Sequence, residues 1–347
     1  MRIKRFLPFA MLAIAAVALA IVAGASAAGK AHHAPAAKAA APLKVGLVTD
    51  IGGLNDRGFN HLAYVGLQQA QKSLKVQGRV LESHSATDYV PNLSSLAQQG
   101  YGLVIAVGFL MTDAVDQVAK QFPNTKFAIV DVDATSIADK PTNVQGILFK
   151  EQESGYLAGY LAGLVMKAKG GKQVAGTVGG LKIPPVDRYI AGFKAGLVKA
   201  DPGATELNGY SQDFVDQAKC KEVALQQIAQ GSQVEFQVAG GCGLGVLDAA
   251  KEKGIWGIGV DSDQSFLGPQ ILTSAIKKVN QGVYETIERT QAGKYRGNWN
   301  LVLGVRQGGS GIGKISSKVP KAIQAKVLAV QAQIKAGKIT NIPTTVP

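Results

Sequence analysis

The stretch "KVGLVTDIGGLNDRGFNHLAYVGLQQA" (residues 44–70) changes character twice along its length. It begins as an apolar run typical of a buried strand and continues into a polar, glycine-rich turn. It ends with apolar residues spaced as on one face of a helix. A strand, a turn and a helix in this order form the first half of a βαβ unit, so the stretch predicts a parallel sheet.

The same alternation continues along the chain. Five strands are predicted before residue 150, at 43–49, 78–83, 103–108, 126–132 and 143–149. A helix predicted at 154–168 is followed by a second set of alternating strands and helices, with no close residue-level repeat of the first set. The pattern predicts an α/β protein of two like-folded lobes, each a parallel sheet with helices on both faces.

The helix predicted at 154–168 contains "GYLAGYLAG", in which Gly155, Gly159 and Gly163 are four residues apart. This spacing occurs in transmembrane helix dimers. Glu151, Glu153 and Lys167 bracket an apolar run too short to span a bilayer. We therefore expect close helix packing inside a water-soluble protein.

Composition excludes some classes of function. The chain has 347 residues and a formal net charge of +13, and the segment from Lys314 to Pro347 contains six lysines and no acidic residue. A nucleic-acid-binding protein would interleave basic and aromatic residues or show a known motif, and this segment does neither. We expect no nucleic acid partner, and interpret the segment as a solvated face or one that meets an anionic membrane surface.

The N-terminus predicts export. Residues 1–28 have a basic start, a long apolar run and a small-residue end, as in a secretory signal peptide. The run is also long enough for an uncleaved anchor, so both interpretations stay open. No cysteine follows it, so no lipobox is present, and residues 29–42 form an Ala/Pro-rich spacer. We expect the protein in the periplasm or at the cell surface.

The two cysteines, Cys220 and Cys242, lie in the exported part, where oxidation is permitted. They are compatible with one disulfide. A catalytic thiol would need a histidine partner, and only His61 and His84 remain after the spacer. The residues alone leave both interpretations open.

Ligands of open α/β sheets bind outside the carboxyl ends of the strands. The loops that begin there are polar or aromatic: "DIGGLNDRGFN", "FLMTDA", "SQDF", "GGCGLG" and "DSDQSF". The glycine turn does not match G-x-G-x-x-G, and no lysine holds a phosphate-loop position. We therefore expect no nucleotide cofactor and no metal, and interpret these glycines as allowing close approach to a neutral polar ligand.

Candidate ligand groups follow from these loops. Asp261 and Asp263 lie two apart, and hydrogen bonding to ligand hydroxyls is a simpler role for them than acid–base or metal chemistry, since neither companion group is visible. Lys277 supplies a donor. Phe59 and Phe236 belong to different predicted lobes, and two aromatic faces suit a flat heterocycle or a sugar ring.

Six blocks match a known family in order: "VGLVTDIGGLNDRGFNHLAYVGLQQA", "YGLVIAVGFLMTDAVDQVAKQFPNTKFAIVD", "NVQGILFKEQESGYLAGYLAGLVMK", "VAGTVGGLKIPPVDRYIAGFKAG", "VEFQVAGGCGLGVLDAAKE" and "IGVDSDQ". They resemble the basic membrane protein family of ABC-transporter substrate-binding proteins, which includes purine nucleoside receptors. The resemblance covers nearly all of 43–310.

The resemblance implies a type I periplasmic-binding-protein fold, with two Rossmann-like lobes and parallel sheets joined by a three-crossover hinge. The crossovers are expected near Leu148, Ala275 and Asn298. Lobe 1 is then 43–147 plus 276–297, and lobe 2 is 148–275 plus 298–347.

The resemblance also implies how the base is held. In nucleoside-binding relatives two phenylalanines sandwich the base, and the matching positions are Phe59 in lobe 1 and Phe236 in lobe 2. An aspartate that ends the first strand and an asparagine after the first phenylalanine help to recognise the base. They match Asp50 and Asn60.

In the same relatives an aspartate, a lysine and a glycine turn hold the ribose, and they match Asp261, Lys277 and Gly241. One departure concerns the glycine turn, where Cys242 replaces the more usual small hydroxyl residue. Its pairing with Cys220 follows naturally in this family context, and would stiffen the turn that bears Gly241. The missing lipobox cysteine is a second departure.

The function implied is that of a non-enzymatic, monomeric receptor. It captures a small-molecule ligand, with a purine nucleoside favoured, and delivers it to an ABC permease in the membrane. Alternatives are a receptor for a sugar or another small heterocycle that feeds a sensor, and a nucleoside hydrolase that uses Asp261 with Asp50 or Asp263.

Overall fold

The chain alternates strands and helices, and the computed structural model describes it from residue 41 to residue 346. The predicted signal peptide (1–28) and nearly all of the predicted spacer (29–42) lie outside the described residues. The first part of the fold contains β1 (Lys44–Thr49), α1 (Phe59–Leu74), β2 (Gln77–Leu81), α2 (Tyr89–Gln98), β3 (Leu103–Val107), α3 (Thr112–Gln121), β4 (Lys126–Val130) and β5 (Val144–Phe149).

The chain then builds a second set of elements and finishes with four more. The second set contains α4 (Glu151–Lys169), β6 (Val174–Gly179), α5 (Pro184–Ala200), β7 (Thr205–Tyr210), α6 (Gln217–Ala229), β8 (Val234–Val238), α7 (Leu244–Glu252), β9 (Trp256–Asp261) and β10 (Ile271–Lys277). The last four are α8 (Val279–Gln291), β11 (Trp299–Leu303), β12 (Ser310–Ile312) and α9 (Lys321–Lys335).

Two six-stranded sheets result, one in each lobe. Their strand orders are β11-β5-β4-β3-β1-β2 and β12-β10-β9-β8-β6-β7. All neighbours in the first sheet are parallel, and in the second only the β10–β12 pair is antiparallel. In each lobe the first strand pairs with the second and third, and the first five strands of the two sheets share one order; the sheets differ in the direction of the sixth strand. This is the α/β fold predicted from the sequence.

Three crossovers join the lobes, and their positions correct the predicted boundaries. The first is at Lys150, between β5 and α4, and the second is at Lys278, between β10 and α8. The third is at 304–309, since β11 pairs with β5 in the first sheet and β12 pairs with β10 in the second. Strand β11 therefore belongs to lobe 1, whereas the sequence placed everything after residue 298 in lobe 2. Hydrophobic pattern alone does not show which sheet an edge strand joins.

Each lobe has its own apolar core. Fully buried side chains such as Leu47 and Phe127 fill the first, where Val283 of α8 packs among them. Phe193 and Ile258 lie in the second, with Val327 of α9. Helix α8 thus belongs to lobe 1 and α9 to lobe 2.

The glycines of "GYLAGYLAG" allow α4 and α5 to touch through their backbones. A Cβ added at Gly159 would overlap the carbonyl of Phe193, and one at Gly196 would overlap the carbonyl of Tyr156. This is the close packing expected from the sequence. Within 41–346 no helix combines the length and apolar character needed to cross a membrane.

Candidate ligand-binding site

A cavity lies between the lobes, at the carboxyl ends of both sheets. Asp50 follows β1, and Asp131 follows β4; on the other side Phe214 follows β7, and Asp261 ends β9. Parallel strands bring their carboxyl ends to one edge of each sheet, so residues distant in sequence meet here. The lining contains Asp50, Asp56, Phe59, Asn60, Phe109, Asp131, Pro185, Tyr189, Phe214, Gly240, Gly241, Asp261 and Lys277, among others.

Asp56 builds the turn that presents the first of these groups. Its two carboxylate oxygens accept hydrogen bonds from the backbone amides of Gly58, Asn60 and His61, at 2.7–3.1 Å. The amides of Asn60 and His61 belong to the first turn of α1 and would otherwise lack acceptors, and Gly58 directly precedes the helix. Asp56 thus caps the helix and holds Phe59 and Asn60 at the cleft.

Asn60 and Asp50 form a polar pair on the lobe 1 side. The Asn60 Nδ2 group donates to Asp50 Oδ1 at 2.7 Å and faces Asp56 Oδ2 at 3.4 Å. Two carboxylates fix the amide orientation, because the flipped amide would place an oxygen against them. Asn60 Oδ1 is then buried and has no partner among the described residues. Burial raises the pKa of Asp50 to about 6, against opposing hydrogen bonds from Asn60 and Gly52.

Lys277 lies at the centre of a buried ionic network. Its Nζ is 2.6 Å from Asp131 Oδ2 and 3.1 Å from Glu151 Oε1, and Glu151 Oε2 also accepts from Arg188 at 3.2 Å. Burial disfavours the charged amine, but Asp131, Glu151 and Asp261 more than offset this and keep the Lys277 pKa above its ordinary value. Lys277 is therefore a fixed cation, which also lies 4.9 Å from the centre of the Phe59 ring.

Asp261 faces the cavity from lobe 2. Its backbone has a φ of 62°, which is uncommon for a residue other than glycine and turns the chain sharply at the strand end. Its Oδ1 accepts from the Tyr189 hydroxyl at 3.1 Å. Burial raises the pKa of Asp261 to about 7, with Lys277 acting in the opposite direction. A ligand that donates hydrogen bonds to this carboxyl would favour its ionised form.

The lobes also touch directly beside Asp261. The Ser262 hydroxyl donates to the backbone carbonyl of Arg57 at 2.7 Å. Gly58 lies close to Asp261 across the same gap, because a Cβ added there would come within 3.7 Å of Asp261 Oδ2. The turn that precedes α1 and the loop after β9 therefore meet at the cleft.

The structure corrects one of the seven predicted site residues. Phe236 is fully buried inside lobe 2, with its ring centre 5.2 Å from that of Phe193 and 6.1 Å from that of Tyr189. Successive residues of a strand face opposite sides of the sheet, and Phe236 faces the core beneath α5. Phe214, from the "SQDF" loop, lines the cavity instead, and its ring lies against Gly180.

The other six predicted residues line one cavity: Asp50, Phe59, Asn60, Gly241, Asp261 and Lys277. Besides Phe214, the sequence missed Asp131, Glu151 and Tyr189. Asp131 directly follows a strand, so the strand-end rule could have found it. Glu151 starts a helix and Tyr189 lies within one, and neither carries a local signal.

The glycine turn after β8 lines the cavity on the lobe 2 side. Gly240 has a φ of 53°, a conformation that suits glycine, and Gly241 lines the cavity. The neighbouring Cys242 is bonded to Cys220 of α6, with 5.6 Å between their Cα atoms. Within residues 41–346 no group of three or more His, Cys, Asp or Glu side chains is arranged to hold a metal ion.

Comparison with known proteins agrees with this architecture. Residues 43–344 match the family model described as Bmp, ABC transporter substrate-binding protein PnrA-like. The chain belongs to the Bmp family. A protein of Lactococcus lactis named ABC transporter nucleoside-binding protein BmpA is 33% identical, over 97% of this chain and 98% of its own length. The CD4+ T-cell-stimulating antigen of Listeria innocua is 34% identical, over 87% of this chain and 88% of its own length.

Solved structures of similar fold include two ABC-transporter solute-binding proteins. The one from Aeropyrum pernix has a TM-score of 0.78 and 26% identity, and covers 87% of this chain and 94% of its own. The one from Conexibacter woesei has a TM-score of 0.69 and 27% identity, with 87% and 99% covered. The predicted family and the predicted type I fold are thus confirmed, and this Bmp family member is an ABC-transporter substrate-binding protein. Some of its relatives, from Pyrococcus, are named lipoproteins.

Proposed function

We propose that this Bmp protein captures a nucleoside, with a purine favoured, in the interlobe cavity and delivers it to an ABC permease. The observation that carries the proposal is that Phe59 and Phe214, one from each lobe, line the same cavity as Asp50 and Asn60. Two flat aromatic faces and a hydrogen-bonding edge match the shape and chemistry of a nucleobase. The name of the Lactococcus relative, a nucleoside-binding protein, points to the same class of ligand.

The lobe 1 side of the cavity favours a ligand that carries N–H donors. Asn60 Oδ1 is a buried acceptor without a partner among the described residues, and Asp50 is a second acceptor beside it. A buried acceptor left unpaired costs about 1–3 kcal/mol, so a ligand that donates to it gains that amount. The ring and exocyclic N–H groups of a purine provide such donors.

The other end of the cavity suits a ribose. Asp261 accepts hydrogen bonds, Lys277 donates them, and Gly241 lines the same cavity. Sugar hydroxyls both donate and accept, so they can satisfy a carboxylate and an ammonium group at once. We assign the ribose hydroxyls to Asp261 and Lys277.

Charge argues against a phosphorylated ligand. The cavity lining contains four carboxylates, Asp50, Asp56, Asp131 and Asp261, and one amine, Lys277. The amine is already held by Asp131 and by Glu151. A phosphate would thus meet mainly like charges in a desolvated cleft. We expect nucleosides to bind and their 5′-monophosphates to be rejected.

Isothermal titration calorimetry tests the proposal. The panel contains inosine, adenosine, guanosine, uridine, ribose and a nucleoside 5′-monophosphate. We expect one binding site for the purine nucleosides and no measurable binding of ribose or the monophosphate. Phe214→Ala should weaken purine nucleoside binding about ten- to a hundredfold, because an aromatic–base stack contributes about 1–3 kcal/mol.

Phe266→Ala is the matched control, because Phe266 is a phenylalanine that is 62% exposed and lies outside the cavity lining. It should leave the affinity unchanged. Binding of ribose or another sugar with no nucleoside binding would replace the proposal with a sugar receptor. Release of free base from inosine during incubation would replace it with a hydrolase. Size-exclusion chromatography with light scattering tests the expected monomer.

A further inference from the structure

The loop 211–216 carries Phe214, whose ring lies against Gly180. Its first residues are held by backbone bonds from Ser211 to Gly179 and from Gln212 to Gly180, at 2.9 Å each. Asp213 then accepts from the amides of Val215 and Asp216 at 2.7 and 2.9 Å. These last bonds shape the loop internally.

One backbone hydrogen bond ties the centre of this loop to the glycine turn. The Cys242 amide donates to the Phe214 carbonyl at 3.0 Å. Gly241 lies against the same carbonyl, because a Cβ added there would come within 3.4 Å of it. The backbone of Phe214 is thus tied directly to Cys242.

Cys242 is itself fastened to the far end of the loop. Its disulfide partner Cys220 lies in the first turn of α6, which the loop 211–216 leads into. Three links therefore form a closed ring of bonds. They are the chain from Phe214 to Cys220, the disulfide from Cys220 to Cys242, and the hydrogen bond from Cys242 back to Phe214. Both cysteines are fully buried. This closed ring of bonds includes Phe214, which lines the cavity, and it adjoins Gly241.

From this arrangement we infer that the Cys220–Cys242 disulfide is a positioning device for ligand binding: it holds the Phe214 ring and the Gly241 turn in the ligand-ready arrangement before the ligand arrives. This inference rests on the proposed nucleoside site. A loop that is already ordered loses less conformational freedom on binding. The disulfide therefore raises ligand affinity without touching the ligand.

The test compares two variants that both weaken the same part of the core. Cys220→Ala with Cys242→Ala opens the ring, and Val246→Ala trims a fully buried neighbour in the same apolar cluster but leaves the disulfide intact. Both should lower the melting temperature. Only the double cysteine variant should weaken inosine binding, by about three- to tenfold in calorimetry below its melting temperature. Equal affinity in the two variants would overturn the inference.

Amide hydrogen exchange without ligand provides a second readout. In the double cysteine variant, the amides of Cys242 and of 213–216 should exchange faster than in Val246→Ala; equal exchange would overturn the inference. This measurement stays decisive if the wild-type protein binds no nucleoside, a result that would contradict the proposed function alone. If the double variant does not fold, wild-type protein refolded in reductant keeps both sulfur atoms and serves for the same two measurements.

Discussion

At the scale of single residues, the cavity is a place where burial and charge oppose each other. Asp50, Asp131 and Asp261 are buried in the cleft with one lysine among them, and burial raises the pKa of all three carboxyls. Buried polar groups of this kind are expensive in a ligand-free protein and become favourable once a ligand pairs with them. The free energy lost by burying these groups without partners is regained when a matching ligand pairs with them.

Asp261→Asn tests the ribose assignment. The change keeps the shape of the side chain but removes its charge, and a hydrogen bond to a charged group contributes about 1.5–3 kcal/mol. We expect nucleoside affinity to fall about ten- to a hundredfold in calorimetry. Asp263→Asn, two residues further on and outside the lining of the cavity, is the matched control and should bind as the wild type does. Unchanged affinity in Asp261→Asn would show that the ribose lies elsewhere.

Glu235 carries a separate prediction, because it is fully buried in β8 with both carboxylate oxygens unpartnered among the described residues. Burial raises its pKa from an ordinary 4.5 to about 8. The folded protein thus holds a proton that the unfolded chain loses above pH 4.5, so stability is full below that pH and is lost as the pH rises towards about 8.

Glu235→Gln cannot ionise and should escape this loss. Urea unfolding at several pH values between about 5 and 9 should show the variant gaining stability relative to the wild type up to about pH 8 and levelling off above it. Glu222→Gln, at an exposed position of α6, should show no such trend. A difference between variant and wild type that does not change with pH would contradict the assignment.

At the scale of elements, the contact between α4 and α5 is the tightest helix pair of lobe 2. Glycines on both helices face backbone carbonyls of the partner, so no side chain separates the two. The first helix begins at Glu151, beside the first crossover, and the second carries Tyr189, which bonds to Asp261. The helix pair therefore sets the distance between the ionic network around Lys277 and the Asp261 carboxyl.

Gly159→Ala should force this pair apart. The added methyl group overlaps the Phe193 carbonyl, and overpacking of this kind costs about 1–3 kcal/mol. We expect a lower midpoint in urea unfolding. Gly203→Ala is the matched control, because its added methyl would meet nothing closer than Asp201 Oδ1 at 3.9 Å. Equal midpoints in the two variants would mean that the helices move apart at no cost.

The sequence predicted elements better than it predicted which elements meet. Asp50 and Asp261 could be predicted from the sequence because each stands at the end of an apolar strand. Phe236 was misassigned because a strand has two faces, and the sequence does not say which one looks onto the core. Strand β11 was assigned to the wrong lobe because edge pairing depends on the path of the crossovers. Glu151 and Tyr189 reach the site only through helix packing.

At the scale of the whole molecule, the proposed ligand site lies where the two lobes meet. Phe59 and Asn60 come from lobe 1, whereas Phe214 and Asp261 come from lobe 2. The lobes are joined by three short crossovers, and the Ser262–Arg57 hydrogen bond links them at the mouth of the cleft. Such an arrangement can open and close as a hinge, and a ligand that contacts both sides favours the closed state.

The most direct measurement is a crystal structure of the wild-type protein grown with inosine. We predict electron density for the purine ring between Phe59 and Phe214, with its edge on Asp50 and Asn60 and its ribose on Asp261 and Lys277. Density for the ligand outside the interlobe cavity would contradict the account. So would a base within the cavity that stacks on neither phenylalanine.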